Sequence, residues 1–212
     1  MKAILVALSR WEVHGREHVP RHGSLIVVAN HIHVIDPPVL SASIPRRVTF
    51  MAKVELYRPL FSGLFMRAIG AFPVYRGMLD RRALRRAMGA LAHGDALGIF
   101  PEGRRSRDGR LQQAQRGAAL IALRSGAPIV PVGISGTENV RGILGLLRRP
   151  RLVVNIGHPF YLPAIEGKNG TSALDFYIEH IMVRIAALLP ESYRGVYQTD
   201  ERGQAAVRLR AN

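Results

Sequence analysis

Three polar clusters interrupt the apolar runs of this chain, and their residue types fit one kind of reaction. The first is Asn30-His31, followed after four residues by Asp36. An imidazole and a carboxylate on one short, stiff connection suit a general base that an acid holds in a single tautomer. The second is Arg76, which closes the run Gly70-Ala71-Phe72-Pro73-Val74-Tyr75. The third is Glu102-Gly103-Arg104-Arg105-Ser106. Guanidinium groups suit bidentate contacts with phosphate, and Gly103 lets the backbone approach a ligand closely. Singly, each cluster has a plainer reading. A histidine after a strand is most often a structural hydrogen-bonder, and an arginine face is usually only solvated surface. Together, a base, an acid that orients it and phosphate-binding arginines describe transfer to a hydroxyl beside a phosphate.

Two other classes compete with that reading. His31-x-His33 with Asp36 resembles the clustered ligands of a metal-dependent hydrolase. Cysteine is absent, and His14, His18, His22, His93, His158 and His180 form no second cluster of regular spacing, so the metal reading is the weaker one. A basic nucleic-acid-binding module would explain the charge, but the arginines lie at strand ends and on one helix face without aromatic interleaving.

The elements that must hold these groups can be read from periodicity. Leu25 to Ala29 is a continuous apolar, β-branched run and predicts a buried strand that ends at Asn30-His31. Asp36 precedes Pro37-Pro38, which suits an N-cap with proline at the first helical position. Further strands are predicted at 11–14, 47–53, 70–76, 96–100, 128–132 and 151–156. Leu56 to Ile69 is helical in length and nearly apolar all round, so it is either buried or faces lipid or an acyl chain. Asp80 should cap an amphipathic helix whose solvated face carries Arg81, Arg82, Arg85 and Arg86 and which stops at Gly94. Leu111 to Ser125 predicts another helix, and Thr171 or Ser172 should cap a last one running to about Leu189. Strands alternating with helices argue an α/β sheet covered on both faces, in one domain over residues 1–212. The tail 193–212 is polar, basic and expected to be loose.

The formal net charge is +15, and only Lys2, Lys53 and Lys168 are lysines, so the balance is arginine. Such a charge points to anionic partners: phosphate-bearing substrates, lipid headgroups or nucleic acid. Nearly half the residues are hydrophobic (48%), which excludes a disordered chain. No secretory signal is evident, and no uncharged run approaches the roughly 20 apolar residues that span a bilayer. Lys2 to Leu8, within a short apolar segment at 1–10, is a candidate membrane contact. The 140–150 loop is a second, carrying Ile143, Leu144, Leu146 and Leu147 between Arg141 and Arg148-Arg149.

These motifs, in this order, give the chain a resemblance to the glycerolipid acyltransferases. Four blocks recognise that family. Asn30-His31 with Asp36 matches the first, and Gly70 to Arg76 the second. Phe100-Pro101-Glu102-Gly103-Arg104-Arg105-Ser106 matches the third, with Arg104 where threonine is commonest. Val130-Pro131-Val132 matches the fourth. The resemblance spans roughly 11–158 and implies a single α/β domain whose mixed, mostly parallel sheet is flanked by helices on both faces. It implies that His31 deprotonates an acceptor hydroxyl, oriented by Asp36. The hydroxyl then attacks an acyl thioester of coenzyme A or acyl carrier protein, acting as co-substrate with no cofactor or metal. Asn30, Arg76, Glu102, Gly103, Arg104, Arg105 and Ser106 would form the acceptor site. The implied acceptor is a lysophospholipid, 1-acyl-sn-glycerol 3-phosphate, acylated at its sn-2 hydroxyl to give phosphatidic acid; glycerol-3-phosphate or an amino-acid lysolipid is the alternative. The expected location is the cytoplasmic face of a membrane, held peripherally on its anionic surface, and no nucleic-acid partner is expected.

Overall fold

The computed structural model describes residues 5, 7–68, 70–75, 80–140, 142, 145, 148–164 and 170–198. Its strands are β1 (Arg10–His14), β2 (Leu25–Ala29), β3 (Val48–Lys53), β4 (Phe72–Val74), β5 (Ala96–Ile99), β6 (Ile129–Ser135) and β7 (Arg151–Ile156). Its helices are α1 (Asp36–Ser43), α2 (Leu60–Ala68), α3 (Arg81–Ala92), α4 (Gly117–Ser125) and α5 (Thr171–Ala186). The strands make one sheet in the order β1-β7-β6-β2-β5-β3-β4. Every pairing is parallel except β6–β7, where Val132 faces Ile156 in antiparallel register.

β2 sits inside this sheet, between β5 and β6, and all five of its residues are buried. That explains its continuous apolar run, because a strand covered on both faces has no polar side to alternate with. Leu25, Val27 and Ala29 pack on one face with Val39, Leu40 and Ala42 of α1. Ile26 and Val28 pack on the other with Ala87 and Leu91 of α3, Ala119 and Ala122 of α4, and Ile181 and Ile185 of α5. Each fully buried side chain of this size contributes about 1.5–3 kcal/mol. The strand is therefore a fixed platform, and whatever follows Ala29 starts from a defined position.

The structure redraws several predicted ends. Asp36 is the first residue of α1 and Ile35 is its N-cap, so the carboxylate is not a helix cap. Asp80 does cap α3, accepting from Arg82 N (2.9 Å) and Ala83 N (3.0 Å). At α5 the N-cap is Gly170, and neither Thr171 nor Ser172 caps. Helix α4 begins only at Gly117, with Arg116 as its N-cap, and residues 111–115 form a strap without regular secondary structure. The run 56–69 divides into a 3₁₀ turn (Val54–Tyr57) and α2. The tail is docked as far as Gln198, with Tyr197 only 7% exposed in the core. Residues 199–212, Arg76, and Arg141, Ile143, Leu144, Leu146 and Leu147 of the 140–150 loop lie outside the described residues. Leu5, from the expected N-terminal contact, packs into the core beside β2.

Candidate active site

The chain leaves the sheet at the C-terminal end of β2, where open α/β sheets usually place their ligands. Asn30 is first, and its amide locks β2 to β6: Nδ2 donates to Ile134 O (2.8 Å) and Oδ1 accepts from Ile134 N (2.7 Å). With both groups of its amide on backbone, Asn30 braces the histidine that follows it. His31 Nδ1 lies 2.8 Å from Asp36 Oδ2, and Asp36 is fully buried. The same oxygen accepts from Ile32 N (2.7 Å) and His33 N (2.7 Å), while Oδ1 accepts from the Thr137 hydroxyl (2.6 Å). A carboxylate surrounded by donors is an acceptor only, so the His31 proton belongs on Nδ1. Nε2 is then the free lone pair. Phe100 stacks on the imidazole at 4.3 Å between ring centroids and closes one face of it.

Glu102 holds the histidine from the other side. It is 2% exposed, and its two oxygens accept from His31 N (2.8 Å) and Gln112 N (2.9 Å). Burial pushes its carboxyl up to about 7, against the pull of those two backbone N–H groups. Ser106 completes the frame, its N–H donating to His31 O (2.7 Å) and its hydroxyl to Asp108 (2.7 Å). Gly103 turns at φ 69°, and a Cβ there would lie 3.2 Å from Gln115 Cγ. Asn30, Glu102 and Ser106 thus place their polar atoms mainly on protein partners that fix His31.

The open side is a cleft of about 920 Å³ lined by Ile32, Lys53, Arg104, Arg105, Arg107 and Gln112, with Ser106 and Asp108 at its wall. Arg104 and Arg105 are exposed, so they reach into solvent-filled space with their guanidinium groups available. Arg104 and Arg105 share this cleft with Ile32, the neighbour of His31, and four other residues at the site have roles that spacing does not reveal. Thr137 is 101 residues from Asp36 and invisible to local spacing, although its place just past the Val-Pro-Val strand was a usable signal. Gln112 acts through its backbone, which no side-chain pattern reveals. Phe100 belongs to the Phe100-Pro101-Glu102 block, where nothing signals that its ring stacks on His31, and Lys53 reads only as a strand end. His33 is half-buried with an unpaired Nδ1, and among the described residues no three His, Asp or Glu side chains are placed to share a metal ion.

A family model described as Acyltransferase matches residues 10–135, which takes in β1 to β6 and the groups described above around His31 and Asp36 except Thr137. The chain belongs to this acyltransferase family. Among similar proteins, the 1-acyl-sn-glycerol-3-phosphate acyltransferase of Bacillus subtilis is 28% identical over 162 residues, covering 76% of this chain and 79% of that protein. The enzyme of the same name from Streptococcus pneumoniae is 32% identical over 174 residues, 78% of this chain and 63% of its own length. In crystal form, the 1-acyl-sn-glycerophosphate acyltransferase of Thermotoga maritima superposes with a TM-score of 0.64 at 26% identity, covering 88% of this chain and 75% of that one. The chain therefore spans about two thirds to four fifths of these three relatives. The mixed, mostly parallel sheet with helices on both faces is the fold it shares with the Thermotoga protein.

Proposed function

We propose that this acyltransferase moves a fatty acyl group from a thioester of coenzyme A or acyl carrier protein to the sn-2 hydroxyl of 1-acyl-sn-glycerol 3-phosphate. The observation that carries this reading is His31 Nε2, left free by the Asp36 contact beside a cleft lined with arginine. Nε2 takes the hydroxyl proton as the oxygen attacks the thioester carbonyl. The tetrahedral intermediate collapses, the C–S bond breaks, and the imidazolium returns its proton to the departing thiolate. The products are phosphatidic acid and free thiol. Arg104 and Arg105 hold the acceptor's phosphate, with Arg76 assigned the same role from its block alone. Asp36 stabilises the imidazolium that forms.

An acceptor of this kind resides in a bilayer, so the enzyme works at a lipid surface. No helix among the described residues is long and apolar enough to cross a membrane. The surface that fits contact with lipid is α2 and the turn before it. Leu56, Leu60, Leu64 and Phe65 are 42%, 73%, 59% and 37% exposed. Arg58 and Arg67 flank them, and Arg67 and Arg86 both act electrostatically on Tyr57. Lys53, on the cleft wall, leads directly into this ridge, so lipid held there is beside the site.

The deciding experiment supplies purified protein with palmitoyl-coenzyme A or palmitoyl-acyl carrier protein and a panel of acceptors. Thiol release and product mass are then followed. Phosphatidic acid formed from lysophosphatidic acid, and lost in His31→Ala, is the expected result. Preference for glycerol-3-phosphate or an amino-acid lysolipid would reassign the acceptor, and turnover without His31 would remove it as the base. Liposome co-sedimentation of Leu60→Asp/Leu64→Asp should show binding to anionic vesicles falling at least tenfold; undiminished binding moves the contact elsewhere.

A further inference from the structure

The matched family region ends at residue 135, yet the groups behind both catalytic supports are tied to a segment nearly sixty residues later. Tyr193 reaches the turn that follows β6: its hydroxyl accepts from Gly136 N (3.3 Å) and donates to Glu138 Oε1. Between those two residues is Thr137, the donor to Asp36 Oδ1. The same segment grips the strap that carries Gln112. Leu111 N donates to Tyr193 O (2.8 Å), Leu111 O accepts from Val196 N (3.4 Å), and Ala114 N donates to the Tyr197 hydroxyl (3.2 Å). At the crossing stands Gly195, with φ 50°, where a Cβ would lie 2.2 Å from Leu111 O. Only glycine allows that approach, so the two backbones are in direct contact. Tyr197 is buried in the core, and burial raises its hydroxyl pKa against the Ala114 hydrogen bond, with smaller contributions from Glu179 and then Glu102.

We infer that residues 193–197 form a clamp that positions the catalytic pair. Tyr193 sets the turn bearing Thr137 against Asp36, and Leu111, Gly195 and Tyr197 hold the strap bearing Gln112 against Glu102. Asp36 controls the side chain of His31 and Glu102 controls its backbone, so one short segment governs both. The tyrosines touch neither substrate nor the imidazole; they are positioning residues. A hydroxyl removed here loosens a turn or a strap, and the error reaches Nε2 as a misdirected lone pair. A displacement of about 1 Å is enough to slow such a reaction on the order of 100-fold.

This inference rests on the acyl-transfer reading for its kinetic arm but not for its spectroscopic one. The variants are Tyr193→Phe and Tyr197→Phe, which keep each ring in place, with Glu138→Ala as a second break of the Tyr193 contact should the first fail to fold. Tyr161→Phe, at a tyrosine 67% exposed and outside this segment, is the control. In wild type, ¹⁵N NMR of labelled histidine should show His31 as the single Nδ1–H tautomer. In Tyr193→Phe, Thr137→Val and Glu138→Ala it should show mixed tautomers or exchange broadening, whether or not any acyl group is transferred. In the assay, Tyr193→Phe and Tyr197→Phe should lower kcat about 5- to 50-fold while KM for the acceptor changes less than twofold. Tyr193→Phe added to Thr137→Val should cost nothing more, because both act along one path. Full additivity of that pair, or an unaltered His31 spectrum with only a lowered melting temperature, would overturn the clamp. A wild-type protein with the ordered tautomer but no turnover would instead sink the proposed reaction and leave the clamp standing.

Discussion

Asp36 satisfies four donors with two oxygens, and that count decides how its variants behave. Asparagine fits the same space, its oxygen toward His31, Ile32 and His33 and its amide toward the Thr137 hydroxyl. The charge that steadies an imidazolium is lost while the fold survives. Asp36→Asn and His31→Ala should each lower kcat on the order of 10²–10⁴-fold with melting temperatures near wild type. His33→Ala should cost far less, since its ring makes no part of this network; equal losses at 31 and 33 would point to shared ligation instead. Glu102 behaves differently. Glutamine offers one acceptor where two N–H donors converge, so its amide must face one of them. A buried donor left against a donor costs about 1–3 kcal/mol. Glu102→Gln should therefore lower kcat and stability together and leave the acceptor KM within about twofold, whereas a large rise in KM would mean the carboxylate touches substrate. The pair His31–Asp36 was legible in the sequence because five residues on a stiff turn constrain each other. The role of Glu102 was not, since acceptor contact and backbone support require the same residue type.

Strands and straps show the same division. β2 and β5 were readable to within a residue, because burial on both faces leaves an unbroken apolar run. The 111–125 stretch has helical periodicity, yet its first five residues stay outside the helix. Leu111 O accepts from Val196, not from the amide four residues on, and Gln112 N is taken by Glu102. Tertiary partners won those groups, and only the folded chain reveals them. Gly98 on β5 makes an equally specific claim. It pairs with Phe50 of β3, and a Cβ there would lie 2.5 Å from that ring. Phe50 stacks on Phe100 at 6.1 Å, and Phe100 stacks on His31. Gly98→Ala should thus cost about 1–3 kcal/mol by overpacking and also slow the reaction, through a displaced ring beside His31. Urea denaturation and initial rates measured on one preparation check both effects.

Across the whole molecule, two buried titrating groups oppose each other. Folding lowers His180 to about 4, chiefly by burial and then by Arg184, while its ring packs between Phe160 and Phe176. The unfolded chain then binds the extra proton between about pH 4 and 6.5, so this group makes stability rise with pH. Glu102, raised from 4.5 to about 7, binds its proton preferentially in the folded state and makes stability fall across that interval. Each effect is on the order of 2–3 kcal/mol, and they offset between about pH 4.5 and 6.5. Replacing one should unmask the other: His180→Leu should lose stability as pH rises from 4.5 to 7, where wild type stays nearly level in urea melts. The same long-range wiring has a temporal side. A ribosome delivers His31 well before Tyr193, and the turn after β6 and the strap at Leu111 are the parts that wait for the tyrosines. Until Tyr193 is made, the nascent chain carries its imidazole without the contacts that fix the turn bearing Thr137. A chain released between those two residues would hold the imidazole without the clamp that aims it.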